Sequence, residues 1–403
     1  MKILQISDNA PDGGGVGAHV SGMSALLAER GHRIYHLRLG NGTTEIAGPD
    51  TGLHRLPTSY GLIPGRSLLR ALREVLLEHQ PDLVHVHECF TTLSFVLMSE
   101  LRHFAPLVGT LHDVRPFCYL MTRRFTPTGG LCRRQCGFAC FSSGCVQPAG
   151  FLDLVRLPRR WMIDRLNLNE WRRLDRVVVP STYMHELALQ HGVAARHLRL
   201  VPHGTPVPPE LPPREGRSVP ALILYLGGLL DYKGPGMLIE ALASIRDRPW
   251  QAILVGDGPI RAVLEQAVER HGLGERIRFE GHVRDRNRIT DLLGRARLLA
   301  LPSLIPESFA LAGIEALAMG TPVVSFGLGG VGDWLRDGEN GLIAADADAT
   351  DLARQLGRLI DDRALAEEMG KRGHELVAAK FSSTMALEGL LAVYREAIDD
   401  ARA

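Results

Sequence analysis

The stretch "PSLIPESFALAGIEALAMGTPVV", residues 302–324, places two acids in a mostly apolar segment. Glu307 and Glu315 have seven residues between them, and the turn sequence Met-Gly-Thr-Pro follows. Ser308 is a favourable helix N-cap, and the glycine of the turn is suited to end a helix in the left-handed conformation. The pattern therefore predicts a strand end, a helix over 309–319 and then a second buried strand.

Two acids at this spacing allow a structural and a functional interpretation. In the structural one, an acid before a helix favours the helix dipole and the second is a solvated surface acid. In the functional one, the N-terminal amides of the helix meet a phosphate while Glu307 accepts hydrogen bonds from a polyol. Glu315, two turns further on, would reach another part of the same ligand. A lone pair of glutamates favours the structural interpretation, so the surrounding motifs decide.

Length and composition narrow the class of protein. The 403 residues are too many for one ordinary hydrophobic core, so two domains are expected. A net charge of +1 lacks the basic excess of a nucleic-acid-binding protein, so no nucleic-acid partner is expected. The N-terminal apolar segment is too short for a signal peptide, and no apolar run reaches about 18 residues. These features predict a cytoplasmic protein.

Both halves of the chain alternate short apolar runs with helical patterns. The first half begins with "KILQIS", a glycine loop and a helical pattern, and "DLVHVH" at 82–87 is a later strand. The second half repeats this plan from "ALILYLGGL" at 221–229, which runs into another glycine loop. Strands separated by helices predict parallel sheets covered on both faces, with ligands at the carboxyl ends of the strands.

The Pro-rich segment 201–220 separates the two halves, because it cannot form a helix or a central strand. We therefore expect two Rossmann-like doubly wound α/β domains facing a cleft. The predicted bounds are 1–205 for the first domain with a cysteine-rich insertion at about 114–150, 206–220 for the linker, 221–383 for the second domain, and 384–403 for a helix that packs back on the first domain.

The first glycine loop also fits a dinucleotide fingerprint. Gly13, Gly15 and Ala18 satisfy G-x-G-x-x-A. However, Gly13 lies six positions beyond the strand end, and the next strand ends in "HLRLGN" without an acid for a ribose, so a nicotinamide site is disfavoured. Three successive glycines that open a helix instead favour an anion cradle.

The opening stretch resembles the nucleotide-sugar signature of GT-B glycosyltransferases, in particular glycosyltransferase family 4. That signature has two glutamates with seven residues between them, in the setting P-S-x-x-E-G-F-G-L-x-x-x-E-A-M-A-x-G-x-P-V-V. Here one extra residue precedes Glu307, and Ser308 and Ala310 replace the two glycines. Further motifs follow in family order over nearly the whole chain: the N-terminal glycine loop, "RGH" at 30–32, "PDLVHVH" at 81–87, "TLHD" at 110–113, "VPHG" at 201–204, "YKG" at 232–234, "GDGP" at 256–259 and "GHV" at 281–283.

The resemblance implies a retaining transferase that moves a sugar from a nucleoside-diphosphate sugar to a hydroxyl acceptor without a catalytic metal. Glu307 would bind sugar hydroxyls and Glu315 the ribose. Lys233 would neutralise the departing diphosphate, and His112 would lie beside the sugar. The alternatives are that Lys233 is an ordinary exposed lysine and that His112 is a structural histidine. The other implied donor-binding residues are Gly14, Gly15, Gly228, Gly256, Val283, Ser308, Phe309, Ala310 and Leu311.

One position departs from the family pattern. The family usually has Gly-Arg-Leu where this chain has Gly-Gly-Leu at 227–229, so Gly228 supplies no charge to the diphosphate. A guanidinium from the basic segment 114–176 could substitute, and Arg115, Arg123 and Arg124 are candidates.

A cysteine cluster lies in the predicted insertion. The spacings C-x3-C and C-x4-C fall in the range of zinc-ligand pairs, so a structural zinc or iron–sulfur cluster is one interpretation. Reduced thiols packed as small hydrophobic groups are the other. The candidate ligands are Cys132, Cys136, Cys140 and Cys145, with Cys118 just upstream.

Three further alternatives stay open at this point. Segment 151–176 interleaves arginines with apolar residues, which fits either a core-facing helix or peripheral contact with the inner membrane face. Gly228 keeps open a catalytically silent partner subunit, and a GT-B sugar-nucleotide epimerase is a third possibility. The acceptor could be a glycan, a lipid carrier or a small molecule.

Overall fold

The chain forms two compact units, residues 1–202 together with 386–403, and residues 203–385. Gly13, residues 212–219 of the predicted linker and parts of the cysteine-rich insertion lie outside the described residues. The computed structural model describes residues 1–7, 14–39, 53–56, 66–87, 95–118, 120, 122–124, 130–137, 139–146, 151–211 and 220–402.

The first unit is built on a parallel sheet with seven strands in its described part. The spatial order is β3-β2-β1-β4-β5-β6-β7, so the first strand lies near the middle. Strands β4, β5 and β6 are buried along their whole length, as the sequence pattern predicts for strands covered on both faces. The strands are β1 Lys2–Ser7, β2 Arg33–Leu39, β3 Leu53–Leu56, β4 Leu83–His87, β5 Leu107–Thr110, β6 Arg176–Val179 and β7 Leu198–Leu200.

Helices connect these strands, and a hydrophobic core lies between them and the sheet. Side chains of three helices, among them Leu72, Leu97 and Met184, join the strand residues Val84 and Val177 in one buried cluster. The described helices of this part of the chain are α1 Gly14–Glu29, α2 Arg66–His79, α3 Phe95–Leu101, α4 Ala139–Ser142, α5 Phe151–Trp171 and α6 Thr182–Gln190.

The second unit repeats the plan with six parallel strands in the order β10-β9-β8-β11-β12-β13. The strands are β8 Ala221–Leu226, β9 Trp250–Val255, β10 Ile277–Gly281, β11 Leu298–Leu301, β12 Val323–Ser325 and β13 Gly341–Ile343. The helices are α7 Pro235–Ser244, α8 Arg261–Arg270, α9 Arg286–Arg295, α10 Leu311–Ala318, α11 Ala349–Asp361 and α12 Arg363–Lys380. Two buried clusters fill the two faces of this sheet.

The predicted doubly wound α/β architecture is confirmed, with small differences at the boundaries. The first unit ends at Pro202 rather than at 205. Thr205 belongs to the second unit because its backbone N–H donates to the carbonyl of Phe381, and its carbonyl accepts from the N–H of Ser383. Among the described residues, no helix has the length and apolar character needed to cross a membrane.

The last helix, α13 Ser383–Arg402, contributes most of its length to the first unit. Its apolar side chains share a buried cluster with the strand residues Ile3, Leu83 and Val108. Arg176 on β6 donates hydrogen bonds to Glu396 and Asp400 of this helix, at 3.1 and 2.6 Å. Residues that come last in the sequence therefore complete the core of the first unit.

A buried hydrogen bond also joins this helix to the sheet. The hydroxyl of Tyr394 lies 2.6 Å from Nδ1 of His85 on β4, and Nε2 of the same ring lies 2.7 Å from Oγ1 of Thr110 on β5. Burial raises the pKa of Tyr394 far above its ordinary value, so the phenol stays neutral.

Replacing Tyr394→Phe is expected to lower the free energy of unfolding by about 1–3 kcal/mol, because Nδ1 of His85 loses its buried partner while the ring volume is kept. Denaturant-induced unfolding followed by circular dichroism measures this change. The matched control is Glu388→Gln on the same helix. Its exposed ion pair with Arg30 should contribute under about 1 kcal/mol. Equal losses in the two variants would contradict the expectation.

Candidate active site

Two glycine loops interlock at the carboxyl ends of β8 and β9. The N–H of Gly227 donates to the carbonyl of Val255, and the N–H of Leu229 donates to the carbonyl of Asp257. Gly256 has φ +138°, and a Cβ there would lie 1.9 Å from the carbonyl oxygen of Gly227. Glycine is therefore required at position 256 for the two loops to approach each other.

Gly228 lies in the same loop but has no comparable steric requirement. A Cβ at this position would meet Cδ1 of Leu230 at 3.4 Å, which is ordinary contact with a flexible side chain. The hydroxyl of Tyr225 donates to the carbonyl of Gly228 at 2.8 Å, and this bond uses backbone only. The packing around residue 228 thus accommodates a Cβ without overlap.

Lys233 is brought to the site by a short 3-10 turn, Asp231–Lys233, that follows the first glycine loop. Gly234 comes next in the left-handed conformation, with φ +72°, and a Cβ there would lie 1.9 Å from the carbonyl oxygen of Pro302. The N–H of Leu304 also donates to the carbonyl of Tyr232, at 2.9 Å. These contacts hold the turn against the segment that follows β11.

Lys233 and Glu307 form an ion pair at this junction. Nζ of Lys233 lies 2.7 and 2.9 Å from the two carboxylate oxygens of Glu307, and Oγ of Ser303 donates to Oε1 at 2.6 Å. Glu307 is 9% exposed, whereas the lysine side chain is 30% exposed. Burial, together with the charge of Glu307, raises the pKa of Tyr225 well above its ordinary value.

The backbone of Glu307 is fixed by a second loop. Its carbonyl accepts from the N–H of Gly330 at 2.7 Å. Gly329 has φ +70°, and a Cβ there would lie 2.4 Å from the same carbonyl oxygen. The acid is therefore held on both sides, by Lys233 and Ser303 at its carboxylate and by residues 329–330 at its main chain.

The helix after Glu307 begins later than the sequence predicts. We expected a helix over 309–319 with Ser308 as its N-cap, but α10 begins at Leu311 and its N-cap position is Ala310. Ala310 has φ +63° and ψ +72°, so residues 308–310 cannot continue the helix backwards. Ala310 thus has a left-handed conformation that a glycine would adopt without strain.

The residues around this helix start pack on one apolar cluster. Phe309 is buried, and its carbonyl accepts from Nε1 of Trp334 at 2.6 Å. Ala310, Leu311 and Val283 are partly buried against the same cluster. Ser308 is half-buried beside them. The cluster therefore fixes the segment whose amides the family resemblance assigns to the donor.

Glu315 lies on α10, and sequence reasoning missed its partner. Nη2 of Arg286, the first residue of α9, lies 2.5 Å from Oε1 of Glu315. The acid is 16% exposed and the arginine 54%. The spacing of the two glutamates gave no indication of this arginine, because the contact joins elements 29 residues apart in the sequence.

In the first unit, His112 lies in a group of buried histidines. Its Nε2 lies 2.9 Å from Nδ1 of His87, and its ring is 5.9 Å from that of His19. The rings of His85 and His87 are 3.9 Å apart. The sequence interpreted His85 and His87 as structural or cleft-lining. Of these two residues, His87 is hydrogen-bonded to His112, whereas His85 hydrogen-bonds to Tyr394 and Thr110 and contacts the ring of His87.

Burial controls the charge of this group. It lowers the pKa of His85 to about 3, and His19 adds to the effect. It also lowers the pKa values of His87 and His112 well below the ordinary value, with the neighbouring histidines contributing. All three imidazoles are therefore neutral near pH 7.

Gly14 and Gly15 open helix α1, and both are exposed. Gly14 has φ +74°, and a Cβ there would meet nothing within 4 Å, so its left-handed backbone rather than crowding favours glycine. The anion cradle predicted from these glycines and Gly13 stays a prediction.

The arginines considered as substitutes at position 228 have other contacts. Arg123 is buried, and its Nη1 donates to the carbonyls of Phe117 and Arg134. Arg115 forms an ion pair with Asp113. The backbone N–H of Arg124 donates to Oγ1 of Thr122. For Arg123 the structure therefore gives a role within the insertion.

The four candidate cysteine ligands all lie within the described residues and are partly exposed. Across the ranges that the structure describes, no group of three or more His, Cys, Asp or Glu side chains is arranged as a metal site. The four-cysteine metal site stays a prediction, and the described contacts of these residues are with other parts of the first unit. The N–H of Cys136 donates to Nε2 of His191, and Sγ of Cys145 contacts the carbonyl of Arg124.

Two family descriptions together match most of the chain. The family described as "Glycosyltransferase Family 4" matches residues 13–207, and "Glycosyl transferases group 1" matches residues 210–376. The chain belongs to glycosyltransferase family 4. The boundary between the two matches lies close to the boundary between the two compact units.

Relatives of this family 4 chain are themselves glycosyltransferases or synthases. An alpha-D-kanosaminyltransferase of Streptomyces kanamyceticus is 32% identical over 189 residues, 46% of this chain and 48% of the relative. The match thus spans about half the length of that relative. A glycogen synthase of Mycobacterium tuberculosis is 26% identical over 412 residues, 94% of this chain and 91% of the relative.

Solved structures show the fold of the family 4 chain. Sucrose-phosphate synthase from Thermosynechococcus elongatus has a TM-score of 0.76 at 22% identity, over 99% of this chain and 100% of that one. Anabaena HepE in complex with UDP-glucose has a TM-score of 0.70 at 19% identity, over 100% and 99%. The predicted GT-B architecture is confirmed.

Gly228→Arg should leave the free energy of unfolding nearly unchanged, because a Cβ there would meet Leu230 and the carbonyl of Asp257 at ordinary contact distances. Gly256→Ala, in the neighbouring loop after β9, should lower the free energy of unfolding by at least about 2 kcal/mol, since its Cβ would overlap the carbonyl of Gly227. Thermal unfolding of both variants tests this contrast. A destabilised Gly228→Arg variant would show that glycine at 228 is a packing requirement.

The stability of the protein should fall as the pH falls from about 7 to about 5, because His85 has a folded-state pKa of about 3 against roughly 6.5 unfolded. Its contribution is fully present above the unfolded pKa, and protonation of the unfolded chain removes it progressively below. His85→Gln should make the slope of unfolding free energy against pH shallower. Leu77→Gln, at an exposed position without a titratable group, should leave the slope unchanged.

Proposed function

We propose that the protein is a retaining glycosyltransferase that transfers a sugar from a nucleoside-diphosphate sugar to a hydroxyl acceptor. The observation that carries this proposal is the group formed by Lys233, Glu307 and Ser303 beside two interlocked glycine loops. A cation and a polyol-binding acid at the carboxyl ends of parallel strands provide the chemistry that a sugar diphosphate needs.

Charge development in the reaction explains the proposed role of Lys233. As the bond from the anomeric carbon to the diphosphate breaks, negative charge grows on the leaving oxygen. The ammonium of Lys233 and the backbone N–H groups of Phe309, Ala310 and Leu311 would stabilise that charge without a metal ion. Gly228 adds no cation here, so Lys233 has a larger share of this role than in relatives with an arginine.

The acids would bind the rest of the donor. Glu307 is already held by Ser303 and Lys233, so its carboxylate can accept hydrogen bonds from sugar hydroxyls with little reorientation. Glu315 would bind the ribose, and the segment of Val283 would contact the base. The acceptor hydroxyl would attack from the same face as the leaving diphosphate, which retains the anomeric configuration.

The roles of His112, Gly14 and Gly15 rest on the family resemblance. A neutral His112, kept so by burial and by its neighbours, is suited to hydrogen-bond a sugar hydroxyl rather than to act as a cation. A uridine nucleotide is the first donor to test, because HepE, which has the same fold, is described in complex with UDP-glucose. A glycan, a lipid carrier at the inner membrane face and a small molecule are candidate acceptors.

A catalytically silent partner subunit is a second candidate, favoured by one observation. Gly228 lacks the arginine of the family although its surroundings could hold a side chain. A chain that had lost selection for catalysis could keep its fold and its interaction surfaces while losing such a residue.

Glu307→Gln should lower the rate of nucleoside-diphosphate release by at least about a hundredfold, because the amide cannot pair with Lys233 or accept as many hydrogen bonds from the sugar. Mass spectrometry of nucleoside diphosphate released from UDP-, GDP- and ADP-sugars measures turnover. Glu339→Gln, at an exposed acid outside the site, is the matched control. Binding of a donor without turnover by the wild-type protein would favour the partner subunit instead.

A further inference from the structure

The ion pair between Arg286 and Glu315 joins the starts of two neighbouring elements of the second unit. Arg286 is the first residue of α9, and the helix start is fixed because Asp285 accepts a hydrogen bond from the N–H of Asn287 at 2.9 Å. Nη2 of Arg286 lies 2.5 Å from Oε1 of Glu315, which is one turn into α10.

The exposures of the two side chains differ in an informative way. Glu315 is 16% exposed, so it is largely enclosed, whereas Arg286 is 54% exposed and reaches the acid from the solvent side. Ion pairs with such an exposed member contribute little to folding stability. A carboxylate can nevertheless accept several hydrogen bonds, and a guanidinium that holds one oxygen fixes the direction of the other.

The segment that carries Arg286 also carries Val283. Val283 packs on the same apolar cluster as Leu311, the first residue of α10. The strand-to-helix connection 282–285 is therefore anchored beside the start of the helix on which Glu315 lies, and Arg286 extends from that anchored connection.

We infer that Arg286 is a positioning residue that orients Glu315 toward the hydroxyls of the donor ribose. This inference rests on the proposed function, since it assigns the ribose to Glu315. Because the arginine acts through the acid, it should matter only for ligands that present ribose hydroxyls. The site should accordingly select ribonucleotides over 2′,3′-dideoxyribonucleotides, and Arg286 should provide a large part of that selectivity.

The test compares UDP, GDP and ADP with their 2′,3′-dideoxy counterparts, using isothermal titration calorimetry on the full chain. The wild-type protein should bind at least one ribonucleotide more tightly than its dideoxy counterpart. Arg286→Ala should weaken binding of that ribonucleotide by about tenfold, since one hydrogen bond to a charged group is involved. The affinity for the dideoxy nucleotide should not change, because it offers Glu315 no hydroxyl.

Two further variants separate positioning from simple charge. Arg286→Lys keeps the charge but loses the planar fork, so it should recover only part of the ribonucleotide affinity. Arg295→Ala removes an exposed ion pair with Asp291 on the same helix and should leave both affinities unchanged. Thermal unfolding confirms that each variant is folded.

Each other outcome has a distinct meaning. Equal weakening of both nucleotides by Arg286→Ala would overturn the inference, because the arginine would then act on the diphosphate by charge alone. Unchanged affinities, or a wild-type protein that binds ribo and dideoxy forms equally, would also overturn it while leaving donor binding intact. Failure of the wild-type protein to bind any of the nucleotides would instead overturn the proposed function itself.

Discussion

The close approach of the backbone at Gly234 and Pro302 is the constraint on which the second unit's site depends. Parallel strands end at a common edge of the sheet, but that alone does not bring their side chains into contact. The absence of a Cβ at Gly234 lets the turn that carries Lys233 lie directly against the segment after β11, at 1.9 Å for a hypothetical Cβ. Lys233 and Glu307, 74 residues apart in sequence, can therefore form a direct ion pair.

This ion pair gives the site an internal balance of charge. A buried carboxylate without a cation would be costly, and Lys233 and Ser303 offset that cost. In the proposed reaction, a diphosphate that binds near Lys233 would share the ammonium with the carboxylate of Glu307. Ser303 would continue to hold the carboxylate while it accepts hydrogen bonds from sugar hydroxyls.

Much of the fold could be predicted from the sequence, because long apolar runs between helical patterns determine parallel strands. "DLVHVH" was predicted as a strand over 82–87, and the structure has β4 at Leu83–His87. The strands β3, β7 and β13 were missed because they have three or four residues and carry little periodicity. The start of α10 was placed too early because Ser308 is a good N-cap by type, whereas the left-handed Ala310 decides where the helix begins.

The site was less predictable than the fold, for a physical reason. Lys233, Glu307 and Glu315 could be proposed from motifs, since each follows a recognisable local pattern. The contacts Arg286–Glu315 and His87–His112 could not be predicted, because each joins segments that meet only in three dimensions. The cysteine spacing left two interpretations open, because spacing along the chain does not determine how the thiols are arranged in three dimensions.

The sequences of the two units become complete at different times during translation. Residues 203–385 are contiguous, so the second unit has its whole core as soon as that segment has left the ribosome. The first unit needs Leu391, Tyr394 and their neighbours on α13 to cover the strands that carry Ile3 and Val108. Although it is translated first, it cannot finish folding until residues 386–403 emerge. The face of its sheet that α13 covers therefore stays open during translation after the second unit has its whole sequence.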